Sequence, residues 1–245
     1  MTSTEAMFYQ LKQLKGKPLK QKLEHIVTYF WLPILVTLAI LIGLVSYIVH
    51  LATLKEDALN VFCINAVSSS AKQEALVQDF AQTAGIDLDD YNIFLSTAIS
   101  ISGDYAYSSF EAVQALAARV TAGSVDVMTA DIATMQRYFY QDYFYDLREV
   151  LTAQQQEAYS EYYLYADLAL AAEIYASGEL PDSFPDPTKP ELMEQPAPVA
   201  IRVPEDSVLI QKCYPKDETV GIALLGNAKH LDNGLAFLDY IFNKG

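Results

Sequence analysis

The sequence predicts one transmembrane helix followed by a single α/β domain, a mostly parallel sheet covered by helices. Three observations predict it. No Asp, Glu, Lys or Arg occurs between Ile26 and Leu54. Beyond that stretch, apolar β-branched runs alternate with segments of helical spacing. The charge also divides sharply: five basic and two acidic residues up to Thr53 leave +3, and eleven basic against 29 acidic after it leave −18, within a total of −15.

The charge-free stretch is dominated by YFWLPILVTLAILIGLVSYIV. A bilayer core needs about 20 apolar helical residues, so the run is long enough to span. A cleaved signal peptide has an apolar region of only about 7–15 residues behind a short basic start. Here two dozen residues precede the run and no small-x-small site follows it, so an uncleaved anchor is expected. Pro33 is expected near the first turn, where its missing N–H does little damage. Tyr29, Phe30, Trp31 and Tyr47 suit the two interfaces. Lys12, Lys15, Lys17, Lys20 and Lys22 precede the span and only Lys55 closely follows it, which places the N-terminus in the cytoplasm and the C-terminal domain outside. The expected order is a basic cytoplasmic stub over 1–25, a signal-anchor helix over 26–53, a tether over 54–60 and an extracellular domain over 61–245 at the cell membrane.

At 245 residues, with 52% apolar and 19% charged, the chain is globular rather than disordered, with room for one sizeable domain behind the anchor. So acidic an outer domain would be repelled by nucleic acid and by anionic headgroups.

Val61–Val67 (VFCINAV) reads as a buried strand ended by three serines. Ser70 with Gln73 offers a capping box for a helix that Gly85 stops, with Ile86 placed for the apolar contact of a Schellman end. Tyr91–Ile101 repeats the strand signal. Ser108 and Glu111 form a second capping box, opening a helix that ends at Gly123. Val125–Ala130 is the third strand, and Asp131 is placed to cap a short helix after it. Strand–helix alternation of this kind builds a parallel sheet with helices on its faces. Helical signals then predominate to Ala176, although YYLY also fits a strand. Residues 177–198 hold six prolines and form a surface connection. APVAIRV and TVGIALLG resume strand character, and a last amphipathic helix begins at Asn227.

The chemistry-bearing motifs are sparse. There is no phosphate-binding GxxxxGK[ST], no GxGxxG and no GxSxG. His230 is the single histidine of the outer domain, and it is expected to face solvent. No catalytic constellation, cofactor or metal site is therefore expected, and the domain reads as non-enzymatic. Cys63 and Cys213, the two cysteines, are either a bridge closing a long loop or two buried thiols on strands.

Tyrosine is the unusual residue, with 17 in the chain, dense in RYFYQDYFYDL and YSEYYLY. Its rings suit stacking on sugars or a protein contact, and equally suit packing over a sheet. Tyr138, Tyr140, Tyr143 and Tyr145 are the residues of an aromatic surface on the first reading.

Ala115–Leu151 (ALAARVTAGSVDVMTADIATMQRYFYQDYFYDLREVL) resembles the extracellular solute-binding proteins of bacterial ABC transporters, of the second periplasmic-binding type. Gly123, Asp126, Asp131, Asp146 and Leu147 occupy the positions where that family ends a helix, places an Asp in a strand, caps the next helix and closes the unit. Val220–Phe242 is similar to its closing strand and helix. The resemblance implies a solute-binding-protein-like lobe, shortened to one, because too little chain lies between the third strand unit and Pro198 for a second. It also implies a small solute such as a sugar and an ABC-transporter permease as partner. A site would lie at the C-terminal ends of the parallel strands, at Ser68, Ser69 and Ser70 after the first and at Thr129 and Asp131 at the end of the third. The alternative is a protein- or cell-wall-interaction module that kept the fold and lost the cleft.

Overall fold

In the computed structural model, residues 18–52, 55–101, 110–181 and 183–243 are described. The chain divides into two compact units, Met1–Leu54 and Lys55–Gly245. The first contains helix α1 (Leu19–Ala52). Its stretch Trp31–Val49 is 19 residues long with a mean hydropathy of 2.6 and none of it buried, so it is long and apolar enough to cross a membrane. Pro33 stands well inside this helix instead of near its first turn. It interrupts one backbone bond there, and the Thr37 hydroxyl donates to the Pro33 carbonyl at 2.8 Å.

The second unit is a six-stranded sheet. Strand β1 (Glu56–Cys63) begins within the expected tether, because Ala58, Leu59 and Asn60 are already buried. Helix α2 (Ser70–Ala84) follows, capped by Ser69, whose hydroxyl accepts from Lys72 N; Ser70 is its first helical residue. Gly85 ends it in the left-handed region (φ 70°), which costs a residue without Cβ little. The Ile86 N–H reaches back to Ala81 O at 2.9 Å, and Ile86 packs on the core. Strand β2 (Tyr91–Ser96) is shorter than its apolar run. The Ser108 capping position lies outside the described residues. Helix α3 (Phe110–Thr121) leads through Gly123 to β3 (Val127–Asp131) and the short α4 (Ile132–Gln136), which Asp131 caps through Thr134 N at 2.8 Å.

Helices α5 (Leu147–Val150) and α6 (Ala153–Tyr159) and a 3₁₀ turn (Ser160–Tyr162) lead into β4 (Tyr163–Asp167), so YYLY is a strand. Helix α7 (Leu168–Ser177) and the proline-rich connection precede β5 (Pro196–Arg202). Pro198 enters that strand opposite a register shift in β4, a place where a missing N–H is tolerated. Helix α8 (Val208–Cys213), β6 (Val220–Leu224) and α9 (Leu231–Asn243) complete the unit.

The strand order is β2-β1-β3-β6-β5-β4. Pairing is parallel in β2–β1–β3 and antiparallel from β3 through β6 and β5 to β4. Four strands thus point one way, and β6 and β4 oppose them. Two buried clusters fill the sheet's faces, one around Phe80, Phe237 and Tyr240 and the other around Phe62, Met128 and Tyr138. Burial on both faces explains why β1, β3 and β6 read as continuous apolar runs.

At the amino end of this sheet Asp126 is fully buried. Its Oδ2 accepts from Asn60 N at 2.8 Å and lies 2.9 Å from His230 Nδ1; its Oδ1 accepts from Lys229 N at 2.8 Å and His230 N at 3.0 Å. His230, expected to face solvent, is only part-exposed, because its ring is held against Asp126, the residue before β3. A second carboxylate, Asp167, accepts from Ala169 N, Glu194 N and Gln195 N at 2.9–3.1 Å and pins the proline-rich connection to β4. Burial acts to raise its carboxyl, but the backbone N–H groups of Glu194, Gln195, Ala169 and Leu170 outweigh this and hold it below the usual carboxylate range.

Two outcomes follow from these carboxylates. Asp126→Ala strands several buried donors at once and lowers stability by about 3 kcal/mol or more, measured by urea unfolding of the full chain in non-ionic detergent. For Asp167, a folded pKa below the unfolded value contributes stability above about pH 4, and that stability is lost as pH falls through the folded value. The gap in unfolding midpoint between the native chain and Asp167→Asn is therefore present at pH 7 and shrinks below about pH 4.

Candidate functional site

The register places one end of every strand but β2 on a single row. Tyr163 lies beside Ile201, Ile201 beside Ile222, Ile222 beside Thr129, and Thr129 beside Cys63. This row is the carboxyl end of β1, β3 and β5, the edge at which open α/β sheets receive ligands. The segments beyond it belong to Ile64–Ser69, Asp131, Arg202–Ser207, Thr219 and Ser160–Tyr162.

Over β1 and β3 this edge is filled from within. Tyr214, the residue after α8, lies across it, its hydroxyl 2.8 Å from Thr129 Oγ1 and donating to Ile64 O at 3.1 Å. Thr129 has no exposed surface, so a ligand cannot reach it. Burial pushes the Tyr214 hydroxyl well above its ordinary value, so it stays protonated and able to donate. Asp131 gives one oxygen to the α4 cap and the other to Asn65 Nδ2 at 2.7 Å. Asn65 sits in the left-handed region (φ 59°), which Asn tolerates better than most residues. Its Nδ2 also donates to Ile101 O, and its Oδ1 accepts from Ile101 N at 2.7 Å. Ser68 donates to Lys212 O at 2.8 Å, Ser69 caps α2, and Ser70 lies exposed in its first turn. The five residues expected to bind a solute are thus gathered at one edge, but four of them are engaged in capping and cross-linking the loops.

The expected aromatic surface is likewise largely covered, with Tyr143 and Tyr145 part-exposed. Tyr138 and Tyr140 are 3% and 6% exposed. Tyr143 stacks on Tyr138 at 6.1 Å, Tyr140 stacks on Phe184 at 4.8 Å, and Tyr145 packs against the first cluster. The physical reason is the long crossing from α4 to α5, which lays these rings over the sheet and buries their faces.

Over β4, β5 and β6 the same edge is open. A cleft of about 340 Å³ is lined by Tyr162, Tyr163, Tyr165, Thr188 and Arg202, among others. It adjoins a second of about 410 Å³ that shares Tyr162 and Arg202 and adds Glu205, Glu218 and Thr219. Each part has a local cause. Tyr163 and Tyr165 alternate on edge strand β4, so both rings take one side, 6.0 Å apart and edge-to-face. The Tyr162 ring is braced by Phe242 of α9 at 5.3 Å. Arg202 is the exposed last residue of an otherwise buried strand, and its guanidinium lies 5.8 Å from the centre of the Tyr162 ring. Burial, with the charges of Tyr165 and Asp146 nearby, raises the Tyr163 hydroxyl, keeping it a donor at neutral pH. The arrangement supplies aromatic faces, hydroxyls, one fixed cation and flanking carboxylates, which suits a hydroxyl-rich ligand of low net charge.

These residues escaped the sequence reading, although signals existed. YSEYYLY was conspicuous, and Arg202 is the lone charge in APVAIRV. Only the strand pairing shows that the two meet. Among the described residues no group of three or more His, Cys, Asp or Glu side chains is placed to hold a metal ion. No family model matches the chain, and no curated protein does.

Proposed function

We propose that this chain is a membrane-tethered, non-catalytic binding protein that captures a hydroxyl-rich solute such as a sugar at the outer face of a bacterial cell membrane. In this reading it is solute-binding-protein-like, and it presents the solute to an ABC-transporter permease or regulates one. The observation that carries the proposal is the Tyr162–Tyr163–Tyr165–Arg202 cleft at the carboxyl edge of the sheet. Rings of this kind stack on the apolar faces of sugars while hydroxyls and a guanidinium orient the polar rim. The apolar helix Trp31–Val49 supports the tether, and the lysines before it support a cytoplasmic N-terminus. The acidic outer domain argues against nucleic acid as a partner.

The alternative, an interaction module using Tyr138, Tyr140, Tyr143 and Tyr145, has less support, since the first two rings are buried and Tyr143 stacks against Tyr138.

The test is thermal unfolding of the full chain in detergent against a panel of mono- and oligosaccharides, amino acids and peptides. A ligand at a hundred times its dissociation constant adds about 2.7 kcal/mol to the folded state. A sugar is expected to raise the melting temperature by several degrees, and Arg202→Ala or Tyr165→Ala to weaken its binding by about tenfold or more. A well-folded chain that no compound stabilises contradicts solute capture. A shift that both substitutions leave unchanged contradicts this cleft.

A further inference from the structure

Cys63 and Cys213 are free thiols in this structure, both buried, one at the end of β1 and the other at the end of α8. Both belong to the same buried cluster, which also holds Leu209, Ile210 and Tyr214. The backbone around each sulfur is fixed independently of the side chains. Val67 N donates to Cys213 O at 2.8 Å, and Ile64 N donates to Thr129 O at 2.8 Å. Ser68 Oγ donates to Lys212 O at 2.8 Å. The loop after β1 is thus bonded to the end of α8, and this juxtaposition sets the two thiols in one part of the core.

We propose that Cys63 and Cys213 form a disulfide that joins β1 to α8 and staples the carboxyl edge of the sheet. Two buried thiols on segments already bonded to each other are placed for a bridge, and the outward orientation proposed above, on which this inference rests, puts them where bridges persist. Neighbouring Cys63, then Ser68 and the charges of Lys72 and Lys212, outweigh burial and hold the Cys213 thiol below its ordinary value, which is consistent with this placement. The oxidant is a disulfide-bearing thiol oxidase or a small disulfide such as oxidised glutathione. One cysteine thiolate attacks that disulfide, forming a mixed disulfide and expelling one thiolate. The second cysteine thiolate then attacks the protein sulfur of the mixed disulfide and expels the other. The two cysteines are oxidised, the donor disulfide is reduced to two thiols, and those thiols take up the two protons released. Both sulfurs are buried in the folded domain, so the exchange takes place while the chain is closing.

The bridge joins Cys63 to Cys213 and so encloses most of the outer domain, a length at which cross-linking constrains the unfolded chain strongly. It is separate from the Tyr–Arg cleft, and its test does not depend on any ligand.

The full chain, unfolded and reduced in detergent, is refolded with a mixture of oxidised and reduced glutathione. It is then quenched, denatured and treated with a maleimide of large mass. The expected result is no labelled cysteine before reduction, two after it, and a linked Cys63–Cys213 peptide in the mass spectrum. The oxidised form is expected to melt about 10 °C above the reduced form, with Cys213→Ser melting at the reduced value whether or not reductant is present. Two labelled cysteines in the refolded, unreduced chain overturn the proposal, as does a bridge found only between chains. An intrachain bridge that leaves the melting temperature unchanged overturns the stapling role.

Discussion

Five hydrogen-bonding contacts converge on the Asp126 carboxylate at the amino end of the sheet. They come from two separate places in the chain: Asn60 in β1, and the consecutive Lys229 and His230 at the threshold of α9. A carboxylate withdrawn from water needs such partners, because burying the charge unmet costs far more than the bonds return. The partners in turn need the carboxylate, since the start of a helix leaves N–H groups without intrahelical acceptors. Asp126 therefore fixes β1 against β3 and sets where α9 begins. The packing of α9 depends on that start: Phe237 and Tyr240 meet Phe80 of α2, and Phe242 braces the Tyr162 ring of the cleft. The Asp126 network thus stands at the amino end of the sheet, and the open cleft lies at the other.

The carboxyl end is divided by a similar logic. Over the parallel strands, Tyr214, Asn65, Ser68 and Asp131 satisfy one another and the loop backbone, so that half of the edge is closed by its own hydrogen bonds. Over the antiparallel strands, the exposed Arg202 and the tyrosines of β4 reach into open space. Sheet direction decides this. β6 and β4 run against their neighbours, so their beginnings, with the preceding 3₁₀ turn at Ser160–Tyr162, stand beside the end of β5. A wholly parallel sheet would have placed those tyrosines at the opposite end.

Much of the fold was legible because its signals are local. Gly85 and Gly123 have positive φ where a helix must stop, Asp131 caps the helix after β3, and the apolar runs of β1, β3 and β6 report strands covered on both faces. Strand direction was less legible, since no single segment records which neighbour it will pair with. The site was harder still. Tyr214 covers Thr129 from 85 positions away in sequence, and Tyr162 meets Arg202 only through the pairing of β4 with β5. The contact of the part-exposed His230 with Asp126 was missed for the same reason, because the first turn of an amphipathic helix ordinarily faces water and nothing nearby in sequence announces Asp126. Tyrosine density marked both runs alike, but RYFYQDYFYDL crosses the sheet and is largely covered, whereas YSEYYLY reaches its rim.

The most direct measurement is the change in tyrosine ring resonances when the full chain, labelled at tyrosine, is saturated with a sugar that raises its melting temperature. The account predicts that the rings of Tyr162, Tyr163 and Tyr165 shift while Tyr138, Tyr140 and Tyr214 stay in place. Shifts confined to Tyr214 and the residues around Asp131, with the β4 tyrosines unmoved, would contradict it.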